Sequence, residues 1–183
     1  MRIAVAALVV AVAVAGCGSS EPKSAAPSQA EVSKALAGAP PKLAALHKQA
    51  NQLLGGQKSD FDARMAQLRG YPVVVNKWAS WCAPCRGEFP AFQQAGVQVG
   101  KRVAFLGLDG NDPDSSARKF LKRYPVTYPS YRDPSEKIGP SIQAGVAYPT
   151  TVFFDRGGRL VYSHPGPYKT ANDLIRDIKR YAE

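Results

Sequence analysis

Two cysteines separated by two residues constrain this chain more than any other feature, because they lie where a strand pattern gives way to a helix pattern. The β-branched run 73–75 is typical of a buried parallel strand. Cys82 and Cys85 follow, and Pro84 between them occupies a position that the first turn of a helix tolerates. A Cys-X-X-Cys pair between a strand and a helix indicates a redox site. We therefore predict a fold that is built around this pair.

Composition is that of a globular protein with a basic surface. Of the 183 residues, 45% are hydrophobic and 21% are charged, and the formal net charge is +10. This length suffices for one domain with a core. The Lys and Arg residues are scattered and do not alternate with aromatic residues, which argues against nucleic acid as a partner. An anionic membrane surface is the favoured partner for the positive charge.

The N-terminus has the pattern of an export signal. Arg2 precedes an apolar run over residues 3–16, which is too short to span a bilayer and is typical of a signal peptide. The segment ending in Cys17 resembles a bacterial lipobox, so we predict removal of residues 1–16 and lipid attachment at Cys17. An ordinary secretory signal with a free Cys17 is the alternative. Residues 17–30 are predicted to form the lipidated cysteine and a flexible tether, rich in Ser, Ala and Pro.

Residues 31–57 are predicted to form an N-terminal helical extension. Apolar spacing from Pro41 to Leu54 predicts an amphipathic helix that ends at the glycine pair 55–56. A short helix is expected to follow from Ser59, capped with the help of Asp62. His47 falls on the first of these helices and is expected to be exposed.

The remaining pattern, over residues 58–183, predicts one α/β domain. We expect strands at 71–77, 103–108, 150–155 and 159–163, with a further short strand inside 126–134. Helices are expected after the cysteines, where Pro90 should introduce a kink, around 117–124, over 135–143, and from Thr170 onward. This order predicts a central mixed β-sheet with helices on both faces.

With these elements in place, the chain resembles the thioredoxin fold, and within it the membrane-tethered bacterial thiol–disulfide oxidoreductases of the TlpA and ResA type. The resemblance covers residues 58–183. It rests on Trp81 with the following Cys-Ala-Pro-Cys, on Pro90, on the segment 145–150 ahead of a strand and Gly-Gly turn, and on a last helix after Gly166. It implies a thioredoxin-like fold and an extracytoplasmic enzyme.

The cysteine pair is predicted to be the catalytic dithiol. Cys82 is the expected nucleophile, because a helix N-terminus stabilises a thiolate. Cys85, one turn later, is expected to resolve the mixed disulfide, so that both cysteines form an active-site disulfide. A zinc site lacks enough ligands. A purely structural disulfide closing so small a loop would constrain the unfolded chain little.

Further site residues follow from the resemblance. Pro149 matches the family's cis-proline, whose loop pairs with substrate, and Tyr148 and Trp81 are assigned to substrate binding; a trans-proline at a strand start is the alternative. Glu88 lies three residues after Cys85 and is implied to act in acid–base chemistry, with a solvated surface glutamate as the alternative.

Another residue, Asn76, distinguishes branches of the family. It stands where ordinary thioredoxins carry a buried aspartate. An asparagine cannot relay a proton by ionising, which shifts any such role to Glu88 and favours the TlpA and ResA branch.

Together these features predict an enzyme that reduces disulfides of exported proteins, apocytochrome c among them, with electrons from a membrane thiol reductase. The Ala-Pro spacer between the cysteines favours this direction over the alternative, an oxidase that forms disulfides. A metal-carrying module with His164 as ligand is a further alternative. It is disfavoured because copper-handling relatives separate their cysteines by three residues, and His164 is expected to lie in a loop. No cofactor and no metal are expected.

Overall fold

The computed structural model describes residues 27–183. The predicted signal peptide, the lipid attachment at Cys17 and most of the tether lie outside the described residues. Helix α1 (Gln29–Leu36) begins the described part, and Ser28 and Glu31 cap its N-terminus reciprocally. This helix includes residues 29 and 30, the last two of the predicted tether.

Within residues 27–183, six strands form a single sheet in the order β1-β4-β3-β2-β5-β6. They are β1 (Leu53–Leu54), β2 (Val73–Trp78), β3 (Ala104–Gly110), β4 (Ser130–Asp133), β5 (Thr150–Phe154) and β6 (Leu160–Pro165). The first four strands run parallel to one another, whereas β5 runs antiparallel to β2 and β6 runs antiparallel to β5. This sheet confirms the predicted mixed architecture.

In the described part of the chain, six more helices follow α1. They are α2 (Pro41–His47), α3 (Lys58–Gln67), α4 (Ala83–Val99), α5 (Asp114–Arg123), α6 (Ile138–Ser141) and α7 (Ala171–Tyr181). The buried side chains of α4, α5 and α7 pack in one core cluster with Val74. Those of α2, α3 and α6 pack in a second cluster with Val73 and Val75. Because neighbouring strand residues point to opposite faces, the two clusters confirm helices on both faces.

Two helix boundaries predicted in the N-terminal part are wrong, and α6 is shorter than the helix expected over 135–143. The helix expected to reach Leu54 ends at His47, and Leu53 and Leu54 instead pair with β4 at the sheet edge. Asn51 explains the break, because its backbone is left-handed (φ 63°) and its side chain bonds to the backbone of Leu121 and Val126.

The second wrong boundary is that of α3. This helix begins at Lys58 with no side-chain cap, so Ser59 lies inside it. Asp62 accepts a hydrogen bond from Lys58 instead of supporting a cap.

The sequence located the last helix and the cysteine helix correctly. Thr170 caps α7 by accepting a hydrogen bond from the Asp173 N–H, as predicted. Helix α4 places Pro84 in its first turn and continues through Pro90; the kink there stays a prediction. The junction of β2 and α4 therefore holds both cysteines at the carboxyl end of the central strands.

Candidate active site

The two cysteines form a disulfide at the N-terminus of α4, as the sequence predicted. Their Cα atoms lie 5.3 Å apart. Cys82 is the N-cap residue, and its sulfur accepts a hydrogen bond of 3.1 Å from the backbone N–H of Cys85. Cys85 is completely buried, whereas Cys82 retains 4% of its surface. The same N–H and the positive end of the helix dipole would stabilise a thiolate on Cys82 once the disulfide is reduced.

The turn before Cys82 is tied to the turn after β3. The carboxylate of Asp112 accepts hydrogen bonds from the Ser80 N–H (2.5 Å) and hydroxyl (2.8 Å). The Trp81 indole N–H donates to the backbone oxygen of Asn111 at 3.0 Å. Asp112 was not singled out from the sequence.

Glu88 is a buried carboxyl, not a solvated one. Only 1% of its surface is exposed. One oxygen accepts a hydrogen bond of 2.8 Å from the Asn76 side-chain amide, and the other accepts one of 3.2 Å from the Tyr168 N–H. Burial outweighs both hydrogen bonds and raises the pKa of Glu88 to about 8. The alternative of a surface glutamate is therefore wrong, and Glu88 carries a proton at neutral pH.

The loop before β5 holds a cis bond between Tyr148 and Pro149, so the trans alternative is wrong. The Tyr148 ring packs against Trp81, with ring centroids 4.9 Å apart. Trp81 keeps 54% of its surface exposed, and Val146 in the same loop keeps 89%. The loop thus presents an apolar rim beside the residue that precedes Cys82. Substrate binding at Trp81, Tyr148 and Pro149 stays a prediction.

Sequence analysis missed two charged residues beneath this loop. Lys77 is 1% exposed, and its Nζ donates to the Gly145 backbone oxygen at 2.7 Å. The same nitrogen lies 3.3 Å from the Glu136 carboxylate and 4.2 Å from the centre of the Tyr148 ring. The Tyr148 hydroxyl donates to Glu136, and this bond together with the nearby Lys77 lowers the pKa of Glu136. The available signal was a lysine within an otherwise buried strand.

Asp109, at the end of β3, is a second buried carboxyl that the sequence did not single out. It is 2% exposed, and its Oδ1 has no partner within residues 27–183. Burial, with the neighbouring Asp112 carboxylate, raises the pKa of Asp109 to about 8. Two buried carboxyls therefore lie near β2, the strand that leads into the cysteine turn: Glu88 on α4 and Asp109 on β3.

Neither histidine fits its prediction. His164 lies in β6, not in a loop, and its ring stacks on Tyr168 with centroids 4.4 Å apart. His47 is half-buried, and burial lowers its pKa. Within residues 27–183 no three metal-binding side chains gather into a possible metal site. In that same range no helix is long and apolar enough to cross a membrane.

Comparison with known proteins gives a consistent result. The model of the AhpC/TSA family matches residues 47–163. The chain is 35% identical, over 96 residues, to the thiol:disulfide interchange protein DsbE homolog of Paracoccus denitrificans, covering 51% of this chain and 50% of the relative. It is 28% identical, over 123 residues, to the thiol-disulfide oxidoreductase ResA of Geobacillus kaustophilus, covering 63% of this chain and 66% of the relative. The chain thus spans half to about two thirds of these relatives.

A solved structure, MTB dsbF in its mixed oxidized and reduced forms, superposes with a TM-score of 0.57 at 27% identity. The superposition covers 62% of this chain and 82% of that protein. These matches confirm the predicted thioredoxin-like fold and the resemblance to ResA.

Proposed function

We propose, given that this chain belongs to the AhpC/TSA family, that it is a thiol–disulfide oxidoreductase using Cys82 and Cys85. One observation carries the proposal: the two cysteines form a disulfide at the N-terminus of α4, where the Cys85 N–H donates to the Cys82 sulfur. A helix N-terminus makes that sulfur a better thiolate. The DsbE and ResA relatives, whose names describe thiol–disulfide exchange, support the same activity.

The reaction begins with the reduced enzyme. The Cys82 thiolate attacks one sulfur of a client disulfide, forms a mixed disulfide, and releases the other client sulfur as a thiolate. The Cys85 thiolate then attacks the Cys82 sulfur and expels the second client sulfur. Two electrons pass to the client, which becomes a dithiol, and the Cys82–Cys85 disulfide forms again. Water supplies the protons that the client thiolates take up.

The ionised form of Glu88 is the proposed proton acceptor for Cys85. It lies three residues further along α4, which places both side chains on the same side of the helix. Its pKa of about 8 is close to that of an ordinary thiol, about 8.5, so proton transfer between the groups is nearly balanced. Asn76 holds the carboxyl from the neighbouring strand. The negative charge of ionised Glu88 would in turn oppose formation of a thiolate at the cysteines.

Clients are proposed to dock on the rim formed by Trp81, Tyr148 and Pro149. Trp81 offers a large exposed aromatic surface next to Cys82. Tyr148, in the loop that faces it, packs against the Trp81 ring with centroids 4.9 Å apart. An extended client segment would add its backbone to this loop, while its apolar side chains contact the rim.

We further propose that the protein works outside the cytoplasm as a reductant of exported proteins, apocytochrome c among them. A membrane thiol reductase would return electrons to the Cys82–Cys85 pair. The signal-like segment and the lipobox-like sequence at Cys17 support membrane attachment, and two acyl chains hold a protein at a bilayer durably. The Ala-Pro spacer supports reduction over oxidation.

The experiment is to trap the intermediate with Cys85→Ser. The reduced variant, mixed with a disulfide-bonded peptide, is expected to accumulate a mixed disulfide on Cys82 that excess thiol releases. Cys82→Ser serves as the matched control and should accumulate far less adduct. Absence of an adduct on Cys85→Ser would overturn the proposal. Stoichiometric copper or zinc in the purified wild-type protein would favour the metal-carrying alternative.

A further inference from the structure

Lys77 is a buried ammonium group on the opposite face of the sheet from Glu88. Neighbouring residues of β2 alternate in direction, so Asn76 reaches Glu88 on α4 while Lys77 points toward the other helix layer. Only 1% of the Lys77 surface is exposed. Burying a charge is unfavourable unless partners compensate it. The contacts of the Lys77 ammonium therefore indicate what the charge does.

Two contacts of the Lys77 ammonium reach the cis-proline loop directly, and a third reaches it through Glu136. Its Nζ donates to the Gly145 backbone oxygen at one end of the loop and lies over the Tyr148 ring at the other. Glu136, 3.3 Å away, accepts the hydrogen bond of the Tyr148 hydroxyl. Lysine has donors and positive charge but no acceptor, which matches a carbonyl, a carboxylate and an aromatic face.

Glu136 adds an independent sign of a constrained position. Its backbone is left-handed, with φ of 50°, a conformation that glycine adopts readily and glutamate rarely. Its N–H donates to the Asp133 backbone oxygen at 3.0 Å. The side chain meets both Lys77 and Tyr148 from this unusual conformation.

Gly110, at the end of β3, leaves the space that the Tyr148 hydroxyl occupies. A Cβ at this position would overlap that hydroxyl and lie 3.3 Å from the Lys77 side chain. The missing side chain at Gly110 in β3 therefore leaves room for the Tyr148 ring where it packs against Trp81.

We infer that Lys77 and Glu136 are positioning residues that hold Tyr148 against Trp81 and thereby shape the surface on which clients dock. The inference rests on the proposed function. Recognition of peptide disulfides would then depend on a buried lysine and its partly exposed glutamate partner, on the far side of the sheet from Glu88. Neither residue exchanges electrons or protons with the client in this account.

The test compares wild type with Lys77→Met, which keeps the length of the side chain and removes its charge. Reduced enzyme is mixed with a disulfide-bonded peptide or with a small aromatic disulfide that does not need the loop. We expect KM for the peptide to rise about tenfold with a much smaller change in kcat, because misplacing a binding group weakens productive docking. The preference for the peptide over the small disulfide should fall by a similar factor.

A spectroscopic readout follows the loop itself. The chain has two tryptophans, and Trp78 is completely buried, so iodide quenching reports on Trp81. Quenching should increase in Lys77→Met as the Tyr148 ring leaves Trp81. Gly110→Ala displaces the same ring without removing a charge and should give the same signature. Lys119→Met, on the exposed surface of α5, is the matched control and should behave as wild type.

Further variants keep the test decisive if Lys77→Met fails to fold. Glu136→Gln and Tyr148→Phe each remove one polar contact and are expected to shift KM and quenching in the same direction by smaller factors. If these variants match wild type in both readouts, the inference is overturned. If a variant slows the peptide and the small disulfide equally, the pair supports the cysteines and not the loop, which also overturns it. A wild-type enzyme inert toward both disulfides would instead overturn the proposed function.

Discussion

The side-chain amide of Asn76 donates a hydrogen bond of 2.8 Å to the carboxyl of Glu88. This contact joins the strand before the cysteines to the helix after them. Both groups are buried, and the second Glu88 oxygen accepts from the backbone of Tyr168. Among residues 27–183 the acid is thus held by two neutral donors, and burial is the main cause of its raised pKa.

Glu88→Gln should slow the resolution of the mixed disulfide by about 10²-fold, because it removes the proposed base while conserving shape. In wild type the rate should rise as pH passes through about 8, where Glu88 loses its proton. In the variant the rate should follow only the ionisation of the Cys85 thiol, ordinarily at about 8.5, and stay below that of wild type across this range. Stopped-flow release of a peptide from the mixed disulfide measures both effects. Glu31→Gln, at an exposed helix start, is the control, and equal pH profiles for wild type and Glu88→Gln would refute the role.

The free energy of unfolding should also depend on Glu88. Its pKa is about 8 when folded against an ordinary 4.5, so the folded chain binds the proton more tightly. The stabilisation is present at low pH and is lost as pH rises from about 4.5 to about 8. Glu88→Gln should therefore lose less stability across this range than wild type. The pKa of Asp109 is also raised, but this residue is present in both proteins. The difference between their pH dependences of stability therefore reports on Glu88.

Urea unfolding near pH 5 and near pH 9 measures this difference, since the two values lie on either side of most of the transition. Parallel losses of stability in wild type and Glu88→Gln would contradict the buried protonated carboxyl.

Gly107→Ala should destabilise the protein by about 1–3 kcal/mol, as overpacking of a core does. A Cβ at Gly107 would overlap the Ser130 hydroxyl and lie 2.9 Å from the Trp78 indole nitrogen. Gly87→Ala is the matched control, because nothing lies within 4 Å of its Cβ position and it lies in exposed helix. That change should stabilise α4 by about 0.5–1 kcal/mol. Urea midpoints of the two variants on the same side of wild type would contradict this packing.

Local sequence was enough to locate the cysteine site. The start of a helix and a redox pair both depend on residues that are close in sequence. Local sequence therefore predicts the placement of Cys82, Pro84 and Cys85. Leu53 and Leu54 were assigned wrongly, since two apolar residues fit a helix and a strand equally well and only the pairing with β4 decides.

Long-range contacts explain what the sequence could not give. Asn76 and Glu88 were recognised separately, but their hydrogen bond depends on how β2 packs against α4. Lys77 was passed over because its partners come from residues 136, 145 and 148, which the fold alone brings to it. A charged residue in a buried strand signals that partners exist without saying which they are.

The reduction potential of the Cys82–Cys85 pair tests the central claim most directly. Equilibration with defined thiol–disulfide buffers, followed by quantification of the reduced protein, gives the value. A reductant of exported proteins predicts a two-electron couple near −270 mV, about that of thioredoxin. A value near −120 mV, about that of the strong oxidant DsbA, would contradict reduction and identify the chain as an oxidase.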